Sequence, residues 1–145
     1  MKPTFRALGP NDAEAYQALR LTGLRAEPLA FAAGYEDEQG QSRAEIAARL
    51  SKGPDDILWG AFAQNQLVGL AGLQRETPSK LRHKAWLWGM YVAPQARQQG
   101  VARGLAQAVL EHAATRPGLR HVLLGVAVDN QPACALYESL GFQIY

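Results

Sequence analysis

Three apolar runs follow one another in the middle of the chain, at residues 57–64, 67–75 and 85–92, and no helical pattern separates them. Consecutive strands with short connections pair antiparallel, because a parallel neighbour needs a crossover of a dozen or more residues. Asn65-Gln66 joins the first two runs and predicts a hairpin, although the turn lacks the glycine that such turns favour. Pro94 stops the third run, which carries Trp86, Trp88 and Tyr91. Ahead of this block, residues 4–8 alternate in part and suit a strand. Gly9-Pro10-Asn11-Asp12 then starts a helix, with proline at the first helical position and an acid near the positive end of the dipole. Ala13, Tyr16, Leu19 and Leu24 give that helix an apolar face until Glu27-Pro28 ends it. Residues 29–41 show little periodicity and read as a loop. Ser42-Arg43-Ala44-Glu45 is a capping box opening a second helix, which Gly53-Pro54 closes.

Behind the block, residues 100–115 read as a helix with Val101, Leu105, Ala108, Val109 and His112 on one side. Residues 121–128 form a β-branched run suited to a central strand. A short helix over 132–140 ends at Gly141, and Phe142 opens a last strand. The order is strand, two helices, three strands, helix, strand, helix, strand. It predicts one α+β domain over residues 1–145, built on a mixed sheet, and excludes a regular doubly wound fold. The last strand is cut after four residues, which would leave ladder groups unpaired. The natural chain is therefore expected to continue past Tyr145, or a partner chain to cover the edge as a homodimer.

Composition removes several function classes. With 145 residues, 48% apolar and 19% charged, the chain can bury one core and is not disordered. Its net charge of +2 is a mild excess. The densest basic cluster, Lys80-Leu81-Arg82-His83-Lys84, reads as a solvated loop rather than the stripe of a nucleic-acid binder. Cys134 is the one cysteine, so neither a disulfide framework nor a cysteine-based zinc site can form. It lies on an alanine-rich helix face, which favours a small buried thiol over a nucleophile. The three histidines are scattered without paired ligand spacing, so no metal is expected, and His112 and His121 read as structural. The N-terminus lacks a signal-like apolar stretch, and no apolar run approaches the roughly 20 residues of a membrane helix. A cytoplasmic protein with no membrane partner is expected.

The most informative segment is Val92-Ala93-Pro94-Gln95-Ala96-Arg97-Gln98-Gln99-Gly100-Val101-Ala102-Arg103, which joins a strand to a helix. A helix N-terminus exposes unpaired N–H groups and about half a positive charge, an arrangement suited to phosphate. Gly100 admits close approach of backbone, and Arg97 and Arg103 can add charge-assisted hydrogen bonds. The pattern is neither a Walker loop nor a dinucleotide fingerprint. It resembles the acetyl-CoA loop of the GNAT N-acetyltransferase superfamily, Q/R-x-x-G-x-G/A, with Arg97, Gly100 and Ala102 in the defined positions. Residues 128–142 are similar to that family's second hallmark: Asn130 after the fifth strand, then Ala133, Leu136-Tyr137 and Gly141-Phe142. Phe31 to Glu38 is similar to an early loop of many members. The resemblance covers the whole chain except the usual C-terminal strand.

The resemblance implies a mostly antiparallel sheet flanked by four helices and splayed between strands four and five, where the pantetheine arm of acetyl-CoA enters. Met90, Tyr91 and Val92 would contact pantetheine and thioester, with the Met90 N–H as oxyanion donor. Backbone groups of Gln98, Gln99, Gly100, Val101, Ala102 and Arg103 would take the pyrophosphate. Asn130 and Ala133 would bind the carrier from the fifth-strand side, and Tyr137 would bind it and serve as general acid. For the base, residues 85–88 offer no carboxylate, which leaves Glu76, His83 or Glu36. Phe31, Tyr35 and Glu36 would line the site of the acceptor, a small-molecule or protein amine. Core packing is the default for Trp59, Trp86 and Trp88, although one face of the fourth strand could line that pocket. The alternative is an acyl-CoA sensor that kept the phosphate loop and lost its base.

Overall fold

The computed structural model describes residues 2–27, 34–127 and 129–144. At its centre, β2 (Asp56–Ala63) and β3 (Gln66–Arg75) form an antiparallel hairpin. The two-residue turn is Gln64-Asn65, one position earlier than the sequence suggests, and both residues are left-handed, with φ of 52° and 66°. Two positive φ values make a type I′ turn, whose twist matches the flanking strands without glycine. β1 (Thr4–Ala7) pairs antiparallel with β2, and β4 (Lys84–Val92) antiparallel with β3. β5 (His121–Leu123) runs parallel to β4, giving the order β1-β2-β3-β4-β5. The sheet is mixed, as the element order requires.

Helices cover both faces. α4 (Val101–Ala114) lies on one, with Val101, Leu105, Val109 and Ala113 forming a stripe at helical spacing. That stripe packs on Ala61, Ala71, Leu73, Ala85 and Leu87. Burying each such leucine or valine contributes roughly 1.5–3 kcal/mol. α1 (Ala13–Ala26) and α3 (Arg43–Arg49) cover the other face, where Tyr16 and Ile46 join Leu58 and Leu70. A 3-10 turn, Pro10–Asp12, leads into α1. The capping box at α3 is present: Glu45 N–H donates to Ser42 Oγ, and Ser42 N–H to Glu45 Oε1, both at 3.1 Å. α5 (Gln131–Ser139) adds Tyr137 to the α4 core.

Gly104 shows how tightly α4 seats. A Cβ there would stand 2.1 Å from Cζ of Phe5 in β1, an overlap that something must relieve. Gly104→Val should therefore lower stability by about 2 kcal/mol or more, despite removing a helical glycine. A thermal midpoint unchanged from wild type would mean that Phe5 swings aside freely.

Four expectations need correction. Residues 29–41 are not all loop, because α2 (Tyr35–Glu38) forms within them. Four residues are too few to show a period, and α2 is held by a tertiary contact instead: Arg20 Nε and Nη2 donate to the two Glu38 carboxylate oxygens at 3.0 Å each. The strand expected over 121–128 ends at Leu123, and no strand forms in 142–144. Strand propensity is realised only where a neighbour supplies a ladder, and beyond Leu123 β4 and β5 no longer pair. The basic cluster is not simply solvated either, since Arg82 Nη2 donates to Asp55 at 2.7 Å.

Candidate active site

β4 and β5 are joined at three positions, Lys84↔His121, Ala85↔Val122 and Trp86↔Leu123. The apex is closed by the His83 carbonyl, which accepts from the N–H groups of Arg120 and His121 at 2.9 Å each. From Leu87 to Val92, β4 has no strand partner on that side among the described residues. Two parallel strands that share a start and then part leave a wedge opening toward the C-terminal end of β4.

Along that open edge β4 carries a bulge. Gly72 pairs with Trp88 and Leu70 with Tyr91, so β4 takes three steps where β3 takes two. Gly89 absorbs the extra residue with φ of 67°, the left-handed conformation glycine adopts without penalty. Met90 falls between the paired positions and lies at the wedge. Tyr91, after the bulge, is buried against α1, where its ring lies 3.0 Å from the place a Cβ on Gly23 would occupy. The bulge is thus held from behind.

The wide end of the wedge meets the loop into α4. After a 3-10 turn, Pro94–Ala96, Arg97 is extended, Gln98 is left-handed at φ 63°, and Gly100 caps α4 at φ 78°. The helix ladder begins with Gly104 N–H donating to the Gly100 carbonyl at 3.0 Å. The N–H groups of Val101, Ala102 and Arg103 therefore have no acceptor within the helix. A Cβ on Gly100 would meet nothing within 4 Å, so this stretch of backbone faces open space. Left-handed residues ahead of a helix start turn successive amides to one side, forming a concavity for anions.

The two arginines of this segment are exposed, and both are hydrogen-bonded to other parts of the protein. Arg97 Nε donates to the Val92 carbonyl at 3.0 Å and its Nη2 to Glu27 at 2.7 Å, bracing the loop against β4 and the end of α1. Arg103 Nη2 donates to Ser139 Oγ at 2.7 Å, tying the start of α4 to the end of α5. Asn130 caps α5, its Oδ1 accepting from Ala133 N–H at 3.3 Å. Tyr137 is buried in the same apolar cluster that Met90 packs against, edge-on to Phe142 at 5.8 Å. Burial pushes its phenol above the usual tyrosine value. Cys134 is half-buried, its thiol 3.7 Å from the Ala127 carbonyl.

Glu76 is half-buried and accepts from Trp86 Nε1 at 2.8 Å. His83 stands at the apex, its ring 6.0 Å from that of His121. Tyr35 is hydrogen-bonded through its hydroxyl to Arg25, and Glu36 is exposed. Phe31 lies outside the described residues. A separate cleft of about 510 Å³, lined by Phe5, Trp59, Glu111 and His112 among others, lies beside α4 and holds none of these groups. Among the described residues, no His, Cys, Asp and Glu groups gather into a possible metal site. No helix there is long and apolar enough to cross a membrane.

The family described as the acetyltransferase (GNAT) family matches residues 19–142. The chain belongs to the GNAT family. A mycothiol acetyltransferase of Brachybacterium faecium is 32% identical over 137 residues, covering 92% of this chain and 38% of that protein. The chain thus spans well under half the length of this relative. A GNAT-family acetyltransferase structure from Streptococcus pneumoniae superposes with a TM-score of 0.85 at 22% identity, over 99% of this chain and 86% of that one. A predicted acetyltransferase from Clostridium acetobutylicum, solved with acetyl-CoA, gives 0.73 at 19% identity, over 99% and 92%. These likenesses show that the chain has the GNAT fold.

The sequence left several residues of the GNAT wedge unassigned. Gly89 is one, although a lone glycine inside a strand is a known bulge signal. Arg20 is buried yet lies in an amphipathic helix pattern, where an arginine reads as solvent-facing. Nothing in the sequence pairs it with Glu38.

Proposed function

We propose that this chain transfers the acetyl group of acetyl-CoA to an amine acceptor in the cytoplasm, where its single cysteine stays reduced. The observation that carries this reading is the wedge: a bulge at Gly89-Met90 on an unpaired strand edge, opening onto the left-handed loop before α4. An extended pantetheine arm fits between β4 and β5 as an added strand, which would use the ladder groups left along residues 87–92. Its diphosphate would meet the amides of Gln98, Gln99, Gly100, Val101, Ala102 and Arg103. Arg97 then serves by bracing that loop. Asn130 and Ala133 hold the start of α5 at the other wall, which places Tyr137.

Chemistry follows from the same placement. A neutral amine attacks the thioester carbonyl carbon, forming a C–N bond and an oxyanion. The Met90 N–H, turned out of register by the bulge, is the donor for that oxyanion; losing such a donor typically costs about 2.7–4 kcal/mol of barrier. Glu76 or His83 takes the ammonium proton, directly or through water. The C–S bond then breaks, and the departing thiolate accepts the Tyr137 proton. Burial, which raises the phenol, keeps that proton in place at neutral pH.

Release of free CoA in the presence of an amine panel, together with acetyl-CoA binding, tests the reading. Turnover above the uncatalysed rate is expected. Binding without CoA release for any amine would instead make the chain an acyl-CoA sensor. Tyr137→Phe should lower kcat by about 10²–10⁴-fold, the range for a positioned acid, with acetyl-CoA affinity within about threefold. A variant turning over at the wild-type rate would reduce Tyr137 to packing against Phe142.

A further inference from the structure

Two arginines flank one indole just before the bulge, and only one of them is neutralised. Trp88 lies on the α1–α3 side of β4, with Arg49 Cζ 4.6 Å and Arg20 Cζ 5.5 Å from its ring centroid. Arg20 Nη1 is 3.5 Å from where a Cβ on Gly89 would stand, so this group borders the bulge itself. Glu38 balances Arg20 through both carboxylate oxygens. Among the described residues Arg49 has no carboxylate within salt-bridge distance, and its Nε is buried without a hydrogen-bond acceptor. The phenol beside it, Tyr16, is hydrogen-bonded to the Arg49 side chain, but burial raises it and it stays neutral, so it supplies no counter-charge.

We infer that the acceptor carries a carboxylate near its amine, and that Arg49 binds that carboxylate beside the Gly89-Met90 bulge. This rests on the acetyl-transfer reading above and narrows its acceptor. Buried donors are normally satisfied, and a guanidinium placed over an aromatic ring, with one neutral phenol as its partner, keeps N–H groups and a full charge to offer a carboxylate. Arg20, whose charge Glu38 already balances, positions the wall beside the bulge. Trp88 serves as the platform. It fits because Gly72 lies beneath it, where a Cβ would stand only 2.6 Å from the indole nitrogen.

The test compares the twenty amino acids with their decarboxylated amines as acceptors, by CoA release, in wild type, Arg49→Met and Arg49→Lys. In wild type the best amino acid should exceed its decarboxylated partner in kcat/KM by about 10- to 100-fold, the range of a charge-assisted hydrogen bond. Arg49→Met should collapse that ratio to within about threefold, and Arg49→Lys should restore part of it. Calorimetric titration with acetyl-CoA separates the two levels of the reading. A wild-type protein that binds no acetyl-CoA sinks the acetyl-transfer proposal itself. One that binds it but prefers decarboxylated amines, accepts no amino acid, or keeps its ratio in Arg49→Met sinks the Arg49 assignment alone. The wild-type preference decides even if Arg49→Met fails to fold.

Discussion

Gly100→Glu is expected to weaken acetyl-CoA binding by at least about 100-fold, with the protein still folded. The residue is exposed, caps α4 at φ 78°, and a Cβ on it would meet nothing within 4 Å. A side chain there therefore costs the free protein only the left-handed strain, roughly 1–2 kcal/mol. What it does to the ligand is larger. It puts a carboxylate in the open space that the loop amides face, next to a diphosphate of like charge, and two like charges about 4 Å apart repel by a few kcal/mol near a protein surface. Gly100→Asn is the control. Asparagine tolerates the left-handed region and brings no charge, so binding should fall less than about tenfold. Titration of both variants with acetyl-CoA measures this. If the glutamate and asparagine variants bound equally well, the diphosphate would have to sit elsewhere, and the loop would be an ordinary strand-to-helix turn.

That loop was the most legible part of the site, for a physical reason. The chemistry proposed for it is carried by backbone, and glycine is the residue type that reports backbone conformation directly. Gly100 marked the start of α4 to within one residue, and the Ser42-Glu45 box marked the start of α3, because capping is local in sequence. The hairpin was legible too, though its turn was misplaced by one residue because Gln64 takes a φ that propensity assigns to glycine. What the sequence could not display were consequences of packing at a distance. Arg97 matched a phosphate-loop position, yet its guanidinium reaches back to the Val92 carbonyl and Glu27. Asn130 matched a ligand position and caps α5. Neither position type distinguishes a side chain that meets a ligand from one that shapes the loop that does. α2 was invisible because its stability comes from Arg20, 18 positions before Glu38. The short β5 was invisible because its strand-like run describes residues able to pair, while the divergence from β4 decides whether they do.

The second large effect concerns the apex of the wedge, and it is expected from Asp55→Asn. Asp55 receives three guanidinium groups: Arg116 Nε at 3.0 Å, Arg82 Nη2 at 2.7 Å and Arg75 Nη1 at 3.3 Å. Arg75 is buried, and also donates to the Arg82 and Pro117 carbonyls at 2.5 and 2.8 Å. One carboxylate thus ties the start of β2, the end of β3, the loop before β4 and the turn before β5, where β4 and β5 are joined. Burial alone would raise the Asp55 carboxyl, but hydrogen bonds from Arg116, Arg82 and Arg75 outweigh it and hold it down to about 2. A carboxyl depressed in the folded state stabilises the protein above its ordinary value of 3.8, and that contribution is lost as pH falls toward about 2. The gap corresponds to roughly 2.4 kcal/mol; with 28% of the side chain exposed, screening trims it to about 2. Asp55→Asn should lose more, about 3 kcal/mol, because three guanidinium groups would then face one another with no counter-charge. For a chain of this size that lowers the thermal midpoint by roughly 10 °C at pH 7. Between pH 4 and pH 2 the variant should lose less stability than wild type, since the group that titrates there is gone. Thermal scans across that range measure both effects. Parallel wild-type and variant curves would mean that the arginines are held by their carbonyl acceptors, and that Asp55 is a bystander at the apex.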